Sequence, residues 1–93
     1  MTTWDEPKRR KNIKDHGLDF VGCEAIWDNV TIAREDVREA YGEKRLVPFG
    51  LFEGTVAVLV HTERRTGSRI ISLRNAEKYE TRYYFEISKD YFK

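Results

Sequence analysis

Cysteine is almost missing: Cys23 is the only one in 93 residues. A single thiol excludes an intramolecular disulfide and offers no zinc-site spacing. With no base nearby in sequence, Cys23 reads as a small buried apolar residue rather than a nucleophile. Long apolar runs are missing too. No stretch approaches the ~18 residues of a membrane-spanning helix. The opening MTTWDEPKRR lacks the apolar run of a signal peptide. These absences lead to the expectation of a cytoplasmic protein. No repeat, linker or low-complexity segment interrupts the chain, so one domain is expected over residues 1–93, with 88–93 as a frayed tail. The only histidines are His16 and His61. They stand in no metal-ligand spacing, so neither metal nor cofactor is expected.

Charge is plentiful, at 35% of residues against 40% hydrophobic, yet the formal net charge is only +1. The signs are segregated. Residues 4–18 carry five Lys and Arg against three acids, and residues 19–43 carry seven acids against two arginines. Residues 61–82 return to six cations against three acids. Basic ends and an acidic middle suit a molecule with two electrostatic faces. Surface pairing of these charges is the competing explanation.

The elements follow from local chemistry. Asp5 and Pro7 suit a helix start that runs through Lys8–Asp15, with Gly17 as its stop and Trp4 as an anchor. Asp19 suits the cap of a second, buried helix over Phe20–Trp27. Val30–Arg34 reads as a short strand, and Glu35–Lys44 mainly as a loop. Arg45–Phe52 reads as a strand that Pro48 should confine to an edge or a bulge. Thr55–Thr62 and Ser68–Arg74 complete a hairpin turning at Thr66-Gly67. Asn75 then suits the cap of a last helix, with Ala76, Tyr79, Tyr83 and Ile87 at the spacing that faces a sheet. The expected fold is α+β in the order α-α-β-β-β-β-α, a four-stranded antiparallel sheet with helices packed on one face.

The stretch Val56–Glu80 concentrates groups that packing does not explain. Arginine presents a planar, permanently charged fork that matches a phosphate. Arg64 and Arg65 end one strand, Arg69 begins the next, and Arg74 ends it before a helix N-terminus, which also attracts anions. Arg64 and Arg74 fall at opposite ends of the hairpin and need not form one site. The competing explanation is that the turn arginines are solvated and that Arg74 pairs with Glu77 or Glu80. Arginine, histidine, glutamate and tyrosine suffice to cleave RNA, whose 2′-hydroxyl is its own nucleophile. Aromatic rings can hold the unstacked bases.

Three segments, WDEPKRRKNIKDHGLDF, REDVREAYGEKR and RRTGSRIISLRNAEKYE, resemble in combination the BrnT family of toxins, over about residues 4–84. Matching positions include Lys8, Asn12, His16, Arg34, Tyr41, Arg45, Arg64, Arg69, Ser72 and Arg74. The resemblance implies a fold similar to RelE-type ribonucleases and an RNA-cleaving toxin that arrests growth. It implies a BrnA-like ribbon-helix-helix antitoxin in a two-plus-two complex, with DNA contacted only through that antitoxin. The leading expectation is therefore a metal-independent endoribonuclease. Arg64 and Arg74 would stabilise the phosphate, His16 or Glu63 would move the proton, and Lys8, Tyr41, Arg65 and Arg69 would hold substrate. His61 ranks below His16. The rival is a non-catalytic RNA- or protein-binding module.

Overall fold

Alternation along one strand organises the molecule. In Thr55–Arg64, successive side chains point to opposite sides. Ala57 and Leu59 are buried among Phe20, Cys23 and Ile26, whereas Val56 and Val58 are buried with Phe49 and Tyr84. The sheet therefore separates two small cores.

The computed structural model describes residues 2–40 and 43–89. In chain order they form β1 (Thr2–Thr3), α1 (Glu6–His16), a 3₁₀ turn (Cys23–Asp28), β2 (Ile32–Ala40), β3 (Glu43–Phe52), β4 (Thr55–Arg64), β5 (Gly67–Asn75) and α2 (Lys78–Ser88). The sheet has five strands in the order β1-β5-β4-β3-β2. The four sequential strands form the expected antiparallel meander, but β1 pairs parallel to β5, Thr2 with Ser68 and Thr3 with Arg69. The sheet is thus mixed and five-stranded rather than antiparallel and four-stranded. A two-residue strand gives no periodicity to read.

The helices also depart from the expected single face. The first core belongs to α1 and the 3₁₀ turn, and the second to α2. Strand β4 is apolar on both faces because both are covered.

Local chemistry accounts for the element ends. Gly17 closes α1 in the left-handed region, at φ 73°, and its N–H donates to Ile13 O at 2.8 Å. Phe20–Trp27 does not form an α-helix. Gly22 turns at φ 85° and only a 3₁₀ turn follows. Asp19 instead accepts the Val21 N–H and takes a two-pronged hydrogen bond from Arg9, which holds its carboxyl down to about 2. Burial pushes the Cys23 thiol up to about 12, in keeping with an inert core residue.

Two strand expectations are corrected. Glu35–Lys44 is not mainly a loop, since β2 runs to Ala40 and β3 starts at Glu43. Strand β2, which holds Glu35 and Asp36, is the outer strand of the sheet, where charged residues discourage further pairing. Pro48 is not at an edge, because β3 has neighbours on both sides. Pro48 registers with Ala33 on β2, and the β3–β4 register runs without a shift past it, from Leu46↔His61 to Phe49↔Val58. The missing N–H falls in the interval between those two pairs. The β4–β5 turn is Arg65-Thr66, since Arg64 pairs with Gly67.

In α2 the buried stripe is Glu80, Tyr84 and Ser88, while Tyr79 and Tyr83 are 65% and 42% exposed. The expected apolar stripe is off by one position. The buried polar groups are satisfied: Glu80 by Arg74, and Ser88 by donating to Tyr84 O at 2.6 Å. Ser88 is the buried last residue of α2, and residues 90–93 of the expected tail lie outside the described residues.

Candidate functional site

Strand register distributes the arginines. Val56, Val58, Val60, Thr62 and Arg64 alternate onto the α2 side of β4. On β3 that side carries Arg45, Val47 and Phe49, and on β2 it carries Arg34, paired with Val47. The Arg34 guanidinium lies over the Phe49 ring, 5.8 Å from its centroid.

On β5 an irregularity is decisive. The pairing passes from Val60↔Ser72 to His61↔Ile70, so Ile71 is an extra residue, a β-bulge. Arg69 and Arg74 are five positions apart and would face opposite ways on a regular strand. The bulge resets the alternation. Arg69 opposes Thr62, Ser72 opposes Val60 and Arg74 opposes Val58. Arg34, Arg45, Arg64, Arg69 and Arg74 thereby share one face. It is only partly covered by α2, as Val47 and Val60 remain half-buried. Arg64 and Arg74 register with Gly67 and Val58. That separation is six residues of strand, about 20 Å at ~3.3 Å per residue. The two therefore cannot meet at one phosphate.

Arg74 has a structural duty as well. Its guanidinium donates to both oxygens of Glu80 at 2.7 and 2.9 Å. Glu80 is buried, and its Oε1 also accepts the Glu77 N–H at 2.8 Å, forming a capping box at the start of α2. Hydrogen bonds from Arg74 hold the Glu80 carboxyl below its usual range.

His16 lies at the sheet's rim. With Lys8, Lys11, Asn12, Asp15, Ile71 and Ser72 it lines a groove of about 230 Å³ between α1 and β5. Ser72 belongs both to this groove and to the arginine face, so the two are continuous. Asn12 fixes the groove's floor. Its Nδ2 donates to Leu18 O and Leu73 O, and its Oδ1 accepts the Leu73 N–H at 3.1 Å. One side chain thus pairs the strand edge as a neighbouring strand would.

Glu63 lies elsewhere. Together with His61 it faces the α1 side, in a cleft of about 520 Å³ that Trp27, Leu46, Pro48, Glu24 and Ser68 also line. His61 is 4% exposed, and burial pushes its pKa below the usual value. Its ring meets Trp27 edge to face at 5.3 Å. Ser68 Oγ donates to Glu63 Oε1 at 2.6 Å. A large concave cleft holding a shifted histidine beside a carboxylate is an obvious place to look for an active site. Its charge argues against RNA there. Glu24 and Glu63 line it, no Lys or Arg among the described residues does, and a phosphate needs the opposite sign. Among the described residues, no group of three His, Cys, Asp or Glu is placed to hold a metal ion. Among the described residues, no helix is long and apolar enough to cross a membrane.

Residues 4–80 match the family model of BrnT, the ribonuclease toxin of type II toxin–antitoxin systems. The chain belongs to the BrnT family. No curated protein matches it. Membership makes the chain a ribonuclease toxin, with RNA as target and an antitoxin as partner.

In this BrnT chain the expected site residues separate into three groups. Arg64, Arg69 and Arg74 share the open face, with Arg65 in the turn at its tip. Lys8 and His16 meet in the rim groove. Glu63 lies on the opposite side of the sheet. Tyr41 lies outside the described residues. Arg34 and Arg45 join the arginine face without having been singled out as site residues. Both lie in stretches already expected as strands, Val30–Arg34 and Arg45–Phe52, and only the β2–β3 register, Arg34 with Val47, shows that they share a face.

Proposed function

We propose that this BrnT toxin is a metal-independent endoribonuclease that binds its RNA along the arginine face and cleaves it where that face meets the His16 groove. The observation that carries this reading is the bulge at Ile71, which aligns Arg69 with Arg64 and Arg74 on the surface left open by α2. The RNA 2′-hydroxyl attacks the adjacent phosphorus, and the bond to the 5′-oxygen breaks. The products carry a 2′,3′-cyclic phosphate and a 5′-hydroxyl. Arg69, the nearer to the groove, offsets the charge that develops on the reacting phosphate, and Arg64 holds a neighbouring one. His16 moves the proton, and Lys8 and Lys11 neutralise the neighbouring phosphates. A BrnA-like ribbon-helix-helix antitoxin masks the toxin and supplies any contact with DNA.

The test is incubation of purified toxin with RNA in excess chelator. Cleavage to 2′,3′-cyclic ends is expected. RNA left intact in chelator but cut once magnesium is restored would contradict metal independence; RNA bound and left intact under both conditions would instead establish a non-catalytic binding module.

A further inference from the structure

The cleft on the α1 side has no part in the reaction proposed above, yet it is a built site. Its floor is apolar, from Trp27, Ala33, Leu46 and Pro48, and its charged lining residues are Glu24 and Glu63. The His61 side chain lines it and is 5% exposed, and its Nδ1 has no hydrogen-bond partner. That atom stands 3.0 Å from Glu63 Oε1 without the alignment of a hydrogen bond. With the ring proton on Nε2, His61 Nδ1 and Glu63 Oε1 are neighbouring acceptors, and one donor reaching both from the cleft satisfies them. Ser68 already donates to Glu63 from one side, which leaves the His61 side open. The missing donor is therefore cationic by charge and carried on an apolar stem by shape. A lysine or arginine side chain has both properties.

We infer that this cleft is a docking pocket for the antitoxin, taking a lysine or arginine from a segment in which apolar residues flank it. The identity of the partner rests on the toxin–antitoxin reading; the chemistry of the occupant rests on the cleft. RNA does not compete for it, because its phosphates meet Glu24 and Glu63. The cleft and the arginine face lie on opposite sides of the sheet, so an antitoxin anchored here must reach around the sheet edge to block RNA. It would hold the toxin through a point that leaves the catalytic surface unmarked. A central aromatic in a desolvated pocket is where interface energy usually concentrates, which makes Trp27 the principal contact.

The experiment is titration of the toxin with its cognate antitoxin, comparing wild type, Trp27→Ala and Glu24→Gln. RNA cleavage by each free toxin is measured in parallel, and circular dichroism confirms the fold. Glu24→Gln preserves shape and guards against a Trp27→Ala chain that fails to fold. Affinity for the antitoxin should fall at least tenfold in both variants, with cleavage kept within twofold of wild type. Synthetic peptides tiling the antitoxin should quench Trp27 fluorescence only when they carry the basic residue, and its replacement by alanine should abolish the effect. Antitoxin affinity within twofold of wild type in both variants would overturn the inference. Wild-type toxin that binds antitoxin but cleaves no RNA would sink the ribonuclease mechanism and leave the docking pocket standing.

Discussion

Glu80 is a carboxylate at a position where the periodicity of α2 asks for an apolar residue. It is tolerated because Arg74 supplies two hydrogen bonds and the Glu77 N–H a third. Removing one partner of a fully buried pair costs about 3–5 kcal/mol. The Arg74 side chain is 36% exposed, so screening reduces the expected loss for Arg74→Ala or Glu80→Gln to about 1–3 kcal/mol, measurable by urea unfolding. The folded pKa of Glu80 is depressed below 4.5. Its stabilisation is therefore present above that pH and lost as pH falls below it, and Glu80→Gln should flatten that part of the stability profile. Arg74→Ala consequently confounds stability with catalysis, so Arg64 and Arg69 give cleaner tests of activity. His61 is also shifted down, from 6.5, but here burial disfavours the charged form. The unfolded chain takes up that proton first, so stability should be full above about pH 6.5 and decline on acidification. Melting temperatures from pH 8 to pH 5 should show this decline, and His61→Leu should remove it.

At the scale of elements, the bulge and the edge decide the site. Strand β5 would be an open ladder beyond Arg69 if Asn12 did not satisfy both backbone groups of Leu73. Asn12→Ala leaves those groups and Leu18 O without their partner. A loss of roughly 2–4 kcal/mol is expected at about 1 kcal/mol or more per orphaned group, and hydrogen exchange should accelerate first along β5. Such features show how far the sequence could be read. The Thr55–Thr62 strand, which the structure extends to Arg64, the helix stop at Gly17 and the turn at Glu53-Gly54 follow from residue type alone. The last has φ 51° and 83° at its two positions, as a tight hairpin requires. The bulge at Ile71 leaves no mark on composition, because an extra residue shows only when its partner strand is in place. The stripe of α2 was misread for a similar reason. Burial of Glu80 depends on an arginine six residues earlier and on another element, which periodicity cannot see. The loop expected over Glu35–Lys44 failed because an edge strand needs little hydrophobicity.

Across the whole molecule, the sheet separates an arginine-bearing face from an acidic cleft. One presents Arg34, Arg45, Arg64, Arg69 and Arg74, and the other presents Glu24 and Glu63 around His61. A net charge of +1 conceals this division. Binding to RNA through arginines releases counterions, so affinity should fall steeply as salt rises. The most direct measurement is the rate of RNA cleavage by wild type and by the Arg64→Ala/Arg69→Ala double variant, at 50 mM and 200 mM salt with folding verified. The double variant should cleave at least a hundredfold more slowly and lose much of the salt dependence. Cleavage within threefold of wild type, with the same salt dependence, would contradict the placement of the active surface on the arginine face.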